Sequence, residues 1–436
     1  MPTGGPLSLS PPIQRAIDVK RGRPCRSNER RHTHAARPEQ AGAGHVHYIC
    51  GLAMVSCGRL AAARYPLIPS PRRASGILRP PRRELRSWSI MSSSEEEKAA
   101  GANGEQRLEE GEDEGVLAAA MEQLAAEGVR ALHARVEAEW DPVLQSACQT
   151  AAVRALWASA VRDPAAGVLA GERHLRGLHE KMRRDERTGA REVHGVMIAV
   201  RTLWFDARIE AAVAGLGGAA QVVLLGAGMD ARAYRLGCLK ECAVFELDFA
   251  DLLDMKSDIL HEAMSSGNHQ KLTMMAKSLT RVPADIRDVD WMTKLQSCGY
   301  VPERNTVWVL EGILYYLHHV HAMQVLETIA ACRTSACTVL LADFMNRNAA
   351  SLSQTMYHFY HDSPDLLLPS IGFSQAMLSQ IGDPQAHFGL LSHPQNLFEK
   401  LRRLPRSVET NPEDGTPCRR LYLVEASASP DDHTTL

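Results

Sequence analysis

Several features that would place this chain in a simple structural class are scarce or absent. Aromatic residues make up only 5% of the 436 positions, and no apolar run approaches the ~20 residues that a membrane-spanning helix needs. The ten cysteines form no C-x-x-C pair, and no Cys/His cluster has zinc-finger spacing. We therefore expect no membrane span, no metal site, and free thiols of the kind found in a reducing compartment.

The net charge of −2 conceals an uneven distribution along the chain. Residues 1–90 contain 16 Lys+Arg against 4 Asp+Glu, a net charge of +12, whereas the remainder contains 33 against 47, or −14. Because the basic excess lies in the N-terminal segment, nucleic-acid binding by the folded part is not predicted. The apolar fraction of 45% is sufficient for a full hydrophobic core.

The N-terminal segment, residues 1–90, is rich in Arg, Pro and Ser and is predicted to be disordered. Its composition is typical of an organelle transit peptide, which would direct the protein to a plastid or mitochondrion. Alternatively, translation begins at Met91, whose following residues read as an ordinary start, and the protein is cytoplasmic. Residues 91–115 carry nine acids against two bases and are predicted to form a solvated linker.

The predicted folded region covers residues 116–427, followed by a short tail at 428–436. Apolar residues at helical spacing, such as Leu117, Met121 and Leu132, indicate a helical cap over residues 116–215. Short continuous apolar runs then alternate with helical stretches. The runs lie at residues 222–225, 243–247, 306–310, 338–342 and 420–424. Such runs favour a mostly parallel sheet with both faces covered, so the predicted fold class is α/β, doubly wound and Rossmann-like.

A glycine-containing loop follows the first apolar run in the sequence VVLLGAGMD, residues 222–230. Gly226 and Gly228 let a ligand approach the backbone at the carboxyl end of a strand, where open α/β sheets bind ligands. With Ala231, the loop also fits the dinucleotide pattern G-x-G-x-x-A. Asp248 lies 22 residues after Gly226, at the end of the next run. A carboxylate there can accept hydrogen bonds from both hydroxyls of a ribose, which both NAD and S-adenosylmethionine carry.

Several motifs, taken in their order along the chain, resemble the leucine carboxyl methyltransferase family. They are DP…LAG (163–171), RTLWFD (201–206), LLGAGMDARAYRL (224–236), FELDF (245–249), ADIRD (284–288), and WVLEG (308–312) with YYL (315–317). The resemblance extends over residues 146–345 and continues weakly over 385–427. It implies an S-adenosyl-L-methionine-dependent O-methyltransferase with a class I methyltransferase sheet.

The resemblance also implies roles for individual residues in binding the cofactor. Arg201 would pair with the carboxylate of the methionine moiety, because a guanidinium fork suits a carboxylate. Gly226 and Gly228 would allow the backbone to contact that moiety, and Asp248 would hold the ribose. An ordinary role for Arg201, as a surface arginine on a helix, is the alternative.

Two further positions complete the cofactor site that the resemblance implies. Asp288 and Val289 would flank the adenine, with the carboxylate accepting from its exocyclic amine, and Glu311 would lie near the sulfonium or amino group. Asp288 is equally explained as a helix N-cap, and Glu311 as a plain acid at a strand end. Asp230 would cap the helix predicted to begin there.

The methyl acceptor and the catalytic residues are not predicted beyond a carboxyl or hydroxyl group on a small molecule or protein. The stretch 346–378 is interpreted as a lid or acceptor wall, or as ordinary packing. His318, His319 and His321 are interpreted as a cluster at a helix start, with a catalytic role as the alternative. Family members acting on a phosphatase tail use a lysine near the N-terminal helix, and this chain has none between Lys98 and Lys181. An NAD-dependent oxidoreductase, a non-catalytic adenosine-binding protein and a protein C-terminal leucine carboxyl methyltransferase remain as alternatives.

Overall fold

The computed structural model describes residues 114–188, 194–266, 272–353, 355–381, 386, 388 and 421–430. The predicted basic segment 1–90, most of the acidic linker 91–115 and most of the tail lie outside these ranges. The first described helix covers residues 114–122, so it begins before the predicted start at residue 116.

A seven-stranded sheet has the strand order β3-β2-β1-β4-β5-β7-β6. The first five of these run parallel, and β7 is antiparallel to both β5 and β6. The strands are β1 (Gln221–Leu225), β2 (Ala243–Asp248), β3 (Ser278–Pro283), β4 (Thr306–Leu310), β5 (Thr338–Met345), β6 (Gln375–Gln380) and β7 (Leu421–Ala428). This order confirms the doubly wound α/β prediction, and the strand order reverses between β1 and β4, where such sheets bind ligands.

Helices cover the sheet and also precede it. After the first helix at residues 114–122, those before β1 are α1 (Glu127–Glu139), α2 (Pro142–Leu156), α3 (Ala166–Ala170), α4 (Glu172–Arg187) and α5 (Val196–Gly215). Those after it are α6 (Ala250–Ser265), α7 (Trp291–Ser297), α8 (His319–Ala331), α9 (Arg347–Ala350) and α10 (Pro364–Ser370). No α-helix begins at Asp230, contrary to the prediction, because the short connection to β2 forms only the 3₁₀ turns Arg232–Tyr234 and Gly237–Glu241.

The central strands are apolar on both faces because each face carries its own core. Val222 and Leu224 of β1 pack into the core beneath α5, α6 and the preceding helices. Val223 and Leu225 point the other way, into the core beneath α7 and α8. Alternation along a strand thus explains why β1 reads as an uninterrupted apolar run. Within the described ranges, no helix combines the length and apolar character required to cross a bilayer.

Two strands depart from the sequence expectations. β3 ends at Pro283, so residues 284–288, expected to lie on a strand, form the turn that follows it. β6 begins inside the stretch 346–378, which was interpreted as a lid or acceptor wall or as ordinary packing, and it ends two residues beyond that stretch. The two strands lie at opposite ends of the sheet order, and their residues are mostly half-buried or exposed. They therefore lack the continuous apolar run that identifies a central strand.

Candidate functional site

The glycine loop after β1 turns sharply around the end of β2. Gly226 has a φ of 67° and Gly228 a φ of 48°, a region that residues with a Cβ rarely adopt. The backbone N–H groups of Gly226 and Ala227 both donate to the carbonyl of Leu247, at 2.9 and 3.0 Å. The loop is therefore fixed at the carboxyl edge of the sheet, where the sequence placed it.

Side chains from two neighbouring segments lie close to the glycine loop. A Cβ added to Gly226 would lie 2.8 Å from the side chain of Ile313, which follows β4. A Cβ added to Gly228 would lie 3.2 Å from the Cβ of Ala147 on α2. The loop thus lies between the preceding helices and the segment after β4, and glycine is needed for both its conformation and its contacts.

Replacing Gly226 by alanine is expected to lower the free energy of unfolding by about 2–4 kcal/mol, combining left-handed backbone strain with overpacking. Gly217 separates these effects, because its φ is 83° and no atom lies within 4 Å of an added Cβ. Gly217→Ala should therefore cost only about 1 kcal/mol in urea unfolding. Adding Ile313→Ala to Gly226→Ala should relieve the overpacking. Equal losses for the two glycine variants would show that the contact with Ile313 is unimportant.

Asp248 ends β2 and is hydrogen-bonded directly to the glycine loop. Its Oδ2 accepts from the backbone N–H of Gly228 at 2.7 Å, and its Oδ1 accepts from the N–H of Phe249 at 2.8 Å. Burial raises the pKa of this carboxyl, and the two N–H groups partly offset that shift. Each carboxylate oxygen has further lone-pair capacity, so Asp248 is held in a fixed orientation with room to accept from a ligand.

Arg201 of α5 is buried and joins two carboxylates. Its Nε donates to Glu311 Oε1 at 3.0 Å, and its Nη1 donates to Asp343 Oδ2 at 3.2 Å and to the hydroxyl of Tyr315 at 3.1 Å. Burial alone would lower the pKa of Arg201, but Tyr315, Asp343 and Glu311 outweigh it and raise the pKa. The guanidinium is therefore charged and held by three partners, which excludes the surface-arginine interpretation. None of these bonds uses Nη2.

A second buried arginine, Arg232, reaches the same glutamate. Its Nη2 donates to Glu311 Oε2 at 2.6 Å and its Nε to Asp206 Oδ1 at 2.7 Å, while its Nη1 pairs with Asp230. Burial raises the pKa of Asp230, but Arg232, Lys256, Arg154 and Arg235 together outweigh this effect, and the pKa falls to about 2. Glu311 thus bridges two arginines rather than standing as an isolated strand-end acid.

The ion pairs continue from Asp206 towards the helices that precede the sheet. Arg235 donates to both oxygens of Asp206, at 2.5 and 2.8 Å, and its Nε lies 3.8 Å from Asp163. Asp163 accepts from Arg154 Nε of α2 at 2.7 Å, and Arg154 Nη2 donates to the carbonyl of Met229 at 2.5 Å. Charges of opposite sign therefore alternate from α2 to β5.

We call this set the arginine network. Its members are Arg154, Arg201, Arg232 and Arg235, with Asp163, Asp206, Asp230, Glu311 and Asp343. Of these, only Arg201 and Glu311 were predicted as site residues. The sequence motifs contained Asp163, Asp206, Arg232 and Arg235 without indicating what they contact.

Asp343 is the member of the network most sensitive to pH. Its side chain is fully buried on β5, where Oδ1 accepts from the N–H of Gly312 at 2.7 Å and Oδ2 from Arg201. Burial raises its pKa to about 6, opposed by Arg201 and Gly312 and aided by Glu311. The folded protein therefore holds this proton more tightly than the unfolded chain does, so stability from this group is present at low pH and declines as the pH rises through 6.

Asp343→Asn should remove this part of the pH dependence. Between about pH 4 and pH 7, wild type should lose stability relative to the variant by on the order of 1–3 kcal/mol. Urea unfolding of both proteins at several pH values measures the difference curve. Parallel curves for the two proteins would contradict the assignment.

Asp288 and Val289, predicted to flank the adenine, lie in the turn after β3. Val289 is 86% exposed, and the Asp288 carboxylate lies 3.6 Å from Lys294 Nζ. The N-cap of α7 is Asp290, without a side-chain cap bond, so Asp288 does not cap that helix. The same turn reaches Phe249 next to Asp248, since the guanidinium of Arg287 lies 5.8 Å from the Phe249 ring. The turn after β3 therefore lies next to the end of β2, beside Asp248.

Comparison with known proteins identifies the family of this chain. Residues 147–330 match the leucine carboxyl methyltransferase family. A Mycolicibacterium gilvum protein named "Putative S-adenosyl-L-methionine-dependent methyltransferase" is 31% identical over 240 residues, covering 54% of this chain and 73% of that protein. A Frankia alni protein named in the same way is 37% identical over 134 residues, covering 31% of this chain and 43% of that protein.

Other similarities are shorter or looser. The matches to relatives from Frankia alni, Mycobacteroides abscessus and Streptomyces avermitilis span less than half of each relative's length. A solved structure of a DUF574 family protein from Streptomyces avermitilis is 12% identical with a TM-score of 0.38, over 59% of this chain and 92% of that chain. On the evidence of the Mycolicibacterium gilvum relative and the family match, the chain belongs to the leucine carboxyl methyltransferase family.

Proposed function

We propose that this protein transfers the methyl group of S-adenosyl-L-methionine to a carboxyl or hydroxyl oxygen of a small-molecule or protein acceptor. The observation that carries the proposal is the hydrogen bond between Gly228 and Asp248 at the carboxyl edge of the sheet. This bond joins the glycine loop, whose backbone a ligand can approach, to the carboxylate that would bind the ribose of a nucleoside ligand.

The residues at this edge fit the nucleoside half of the cofactor. Asp248 is already oriented by two backbone N–H groups, so it can accept from the two ribose hydroxyls without reorganising. Phe249 and Val289 are both exposed apolar side chains, at 43% and 86%, and they offer an apolar surface beside Asp248 for the adenine. Asp288 would then accept from the exocyclic amine.

The residues on the other side of the glycine loop fit the amino-acid half. Arg201 Nη2, which the three observed bonds leave unused, would hold the carboxylate, and Glu311 would accept from the ammonium group. Gly226 and Gly228 expose backbone between these two regions. The acids Asp248, Glu311 and Asp343 also favour a ligand that carries positive charge.

When bound, the cofactor supplies an electrophilic methyl group on a sulfonium. The protein's contribution is to orient the acceptor oxygen at ~3–3.5 Å from that methyl, in line with the bond that breaks. A carboxylate oxygen forms the new bond without losing a proton. A hydroxyl oxygen must lose its proton, which a nearby base would accept.

Calorimetric titration of the full-length protein with S-adenosylhomocysteine and with NAD tests the proposal. We expect micromolar binding of the former and none of the latter. Binding of NAD instead would favour an oxidoreductase, and binding of neither would overturn the cofactor assignment.

The acceptor class can be tested with labelled methyl groups. The panel should contain aliphatic and aromatic acids, phenols, and peptides ending in a leucine carboxylate. Methyl esters release methanol in alkali, whereas methyl ethers do not, so the stability of the label distinguishes carboxyl from hydroxyl acceptors. Transfer to the leucine peptides would identify a protein C-terminal carboxyl methyltransferase. Cofactor binding without transfer to any acceptor would favour a non-catalytic adenosine-binding protein.

A further inference from the structure

A cavity lies where the chain crosses the carboxyl edge of β4 and β5, and none of its lining residues belongs to the proposed cofactor site. It has a volume of about 470 Å³, and its lining includes His319, Arg347, His358, Tyr360 and His361. His319 begins α8, Arg347 begins α9, and the other three belong to the segment that follows α9. We call this cavity the histidine–arginine pocket. Its volume is within the range of small-molecule sites.

The pocket is separated from the arginine network by one residue, Tyr315. The backbone N–H groups of His358 and Phe359 donate to the Tyr315 carbonyl, at 2.8 and 3.4 Å. The side-chain hydroxyl of the same residue accepts from Arg201 at 3.1 Å. A group bound in the pocket therefore lies beside the cofactor site without occupying it.

The pocket lining is rich in groups that can donate hydrogen bonds to an anion. His361 Nδ1 accepts from the N–H of Ser363 at 3.1 Å, so a neutral His361 carries its proton on Nε2. The Arg347 guanidinium lies 5.1 Å from the Tyr360 ring centroid and is largely exposed. It is thus positioned on an aromatic face while its fork remains able to bind a carboxylate or phosphate.

The lining also contains an acid, Asp362, but its carboxylate is already engaged. Its Oδ1 accepts from the backbone N–H of Arg347 at 2.9 Å, and its Oδ2 lies 4.0 Å from Arg347 Nε. Neither contact uses the terminal nitrogens of Arg347. Among the described residues, no three His, Cys, Asp or Glu side chains are grouped to hold a metal ion.

We propose that the histidine–arginine pocket binds an anionic group of the methyl acceptor, distinct from the oxygen that is methylated. The inference rests on the proposed function, since it assigns the anion to the acceptor. It follows from the donor-rich lining and from the position of the pocket across Tyr315 from Arg201 and Glu311. The anionic group is a carboxylate or a phosphate, which the same guanidinium fork can bind.

Ligand-observed NMR on the full-length protein saturated with S-adenosylhomocysteine tests this assignment. The probes are 4-hydroxybenzoate, phenyl phosphate and the uncharged 4-hydroxybenzamide. At least one anionic probe should bind about tenfold more tightly than the amide, and Arg347→Gln should weaken its binding by about tenfold or more. The matched control is Arg176→Gln, which removes an exposed arginine of α4 whose ion pair is with Glu172 of the same helix. The control should not affect binding.

The remaining outcomes separate the pocket from the cofactor site. Arg347→Gln should leave binding of S-adenosylhomocysteine unchanged, and the two ligands should bind together. The proposal is overturned if no anion binds, if the amide binds equally well, if Arg347→Gln binds like wild type, or if S-adenosylhomocysteine displaces the anion. If S-adenosylhomocysteine itself fails to bind while anion binding still depends on Arg347, the proposed function fails and the pocket stands only as an anion site.

Discussion

Replacing Asp248 by asparagine is expected to weaken binding of S-adenosylhomocysteine by about 100-fold. The variant keeps the size of the side chain, and its carbonyl can still accept from Gly228 as Oδ2 does at 2.7 Å. It loses the negative charge and one acceptor, so neither bond to a ribose hydroxyl is charge-assisted, and only one oxygen is left to accept. Hydrogen bonds to charged groups contribute about 1.5–3 kcal/mol each, and a loss of about 3 kcal/mol corresponds to about two orders of magnitude in Kd.

Calorimetry on the full-length variant measures this change, with Asp251→Asn as its matched control. Asp251 is an exposed acid in the first turn of α6, three positions further along the chain. Its replacement should leave the affinity unaltered. Equal affinities for Asp248→Asn and wild type would mean that the ribose is not held at the end of β2, and the orientation proposed for the cofactor would be wrong.

Arg232→Met should cause the largest loss of stability, about 3–5 kcal/mol in urea unfolding at neutral pH. The guanidinium side chain is only 3% exposed and pairs with Asp206, Asp230 and Glu311. Removing one partner of a buried ion pair leaves the other charge uncompensated, and here three carboxylates lose the same partner. The loss is thus much larger than the apolar methionine can offset.

An arginine on the same protein serves as the control for Arg232. Arg208 of α5 is 36% exposed and lies 3.3 Å from Glu425 of β7. Arg208→Met should cost less than about 1 kcal/mol, as expected for a partly exposed ion pair. If Arg232→Met were as mild as this control, the arginine network would not contribute to stability as its burial indicates.

The central strands were predictable because burial on both faces requires a continuous run of apolar residues. β1, β2 and β4 are covered on both faces, so their apolar runs match the observed strands to within one residue. β3 and β6 are mostly half-buried or exposed, and they carry polar residues such as Arg281 and Gln375. Their positions depend on pairing with β2 and β7, which no local pattern encodes.

The candidate site was predictable where its residues lie at the ends of recognisable strands. The glycine loop and Asp248 could be linked through the known geometry of a parallel sheet, and the structure joins them by a hydrogen bond. Asp343 could not be found in this way, because it lies inside an apolar strand and its partner Arg201 is 142 positions away. A buried charge is identified by its burial and its partners, and both come from the tertiary fold.

The arginine network also affects the cooperativity of unfolding. Arg154 on α2 bonds both to Asp163 and to the carbonyl of Met229 in the glycine loop, so the helices before β1 share buried charges with the loops of the sheet. If either part unfolded alone, buried charged groups in the other part would lose their ion-pair partners. The preceding helices and the sheet should therefore melt as one cooperative unit, with a single transition seen by every probe.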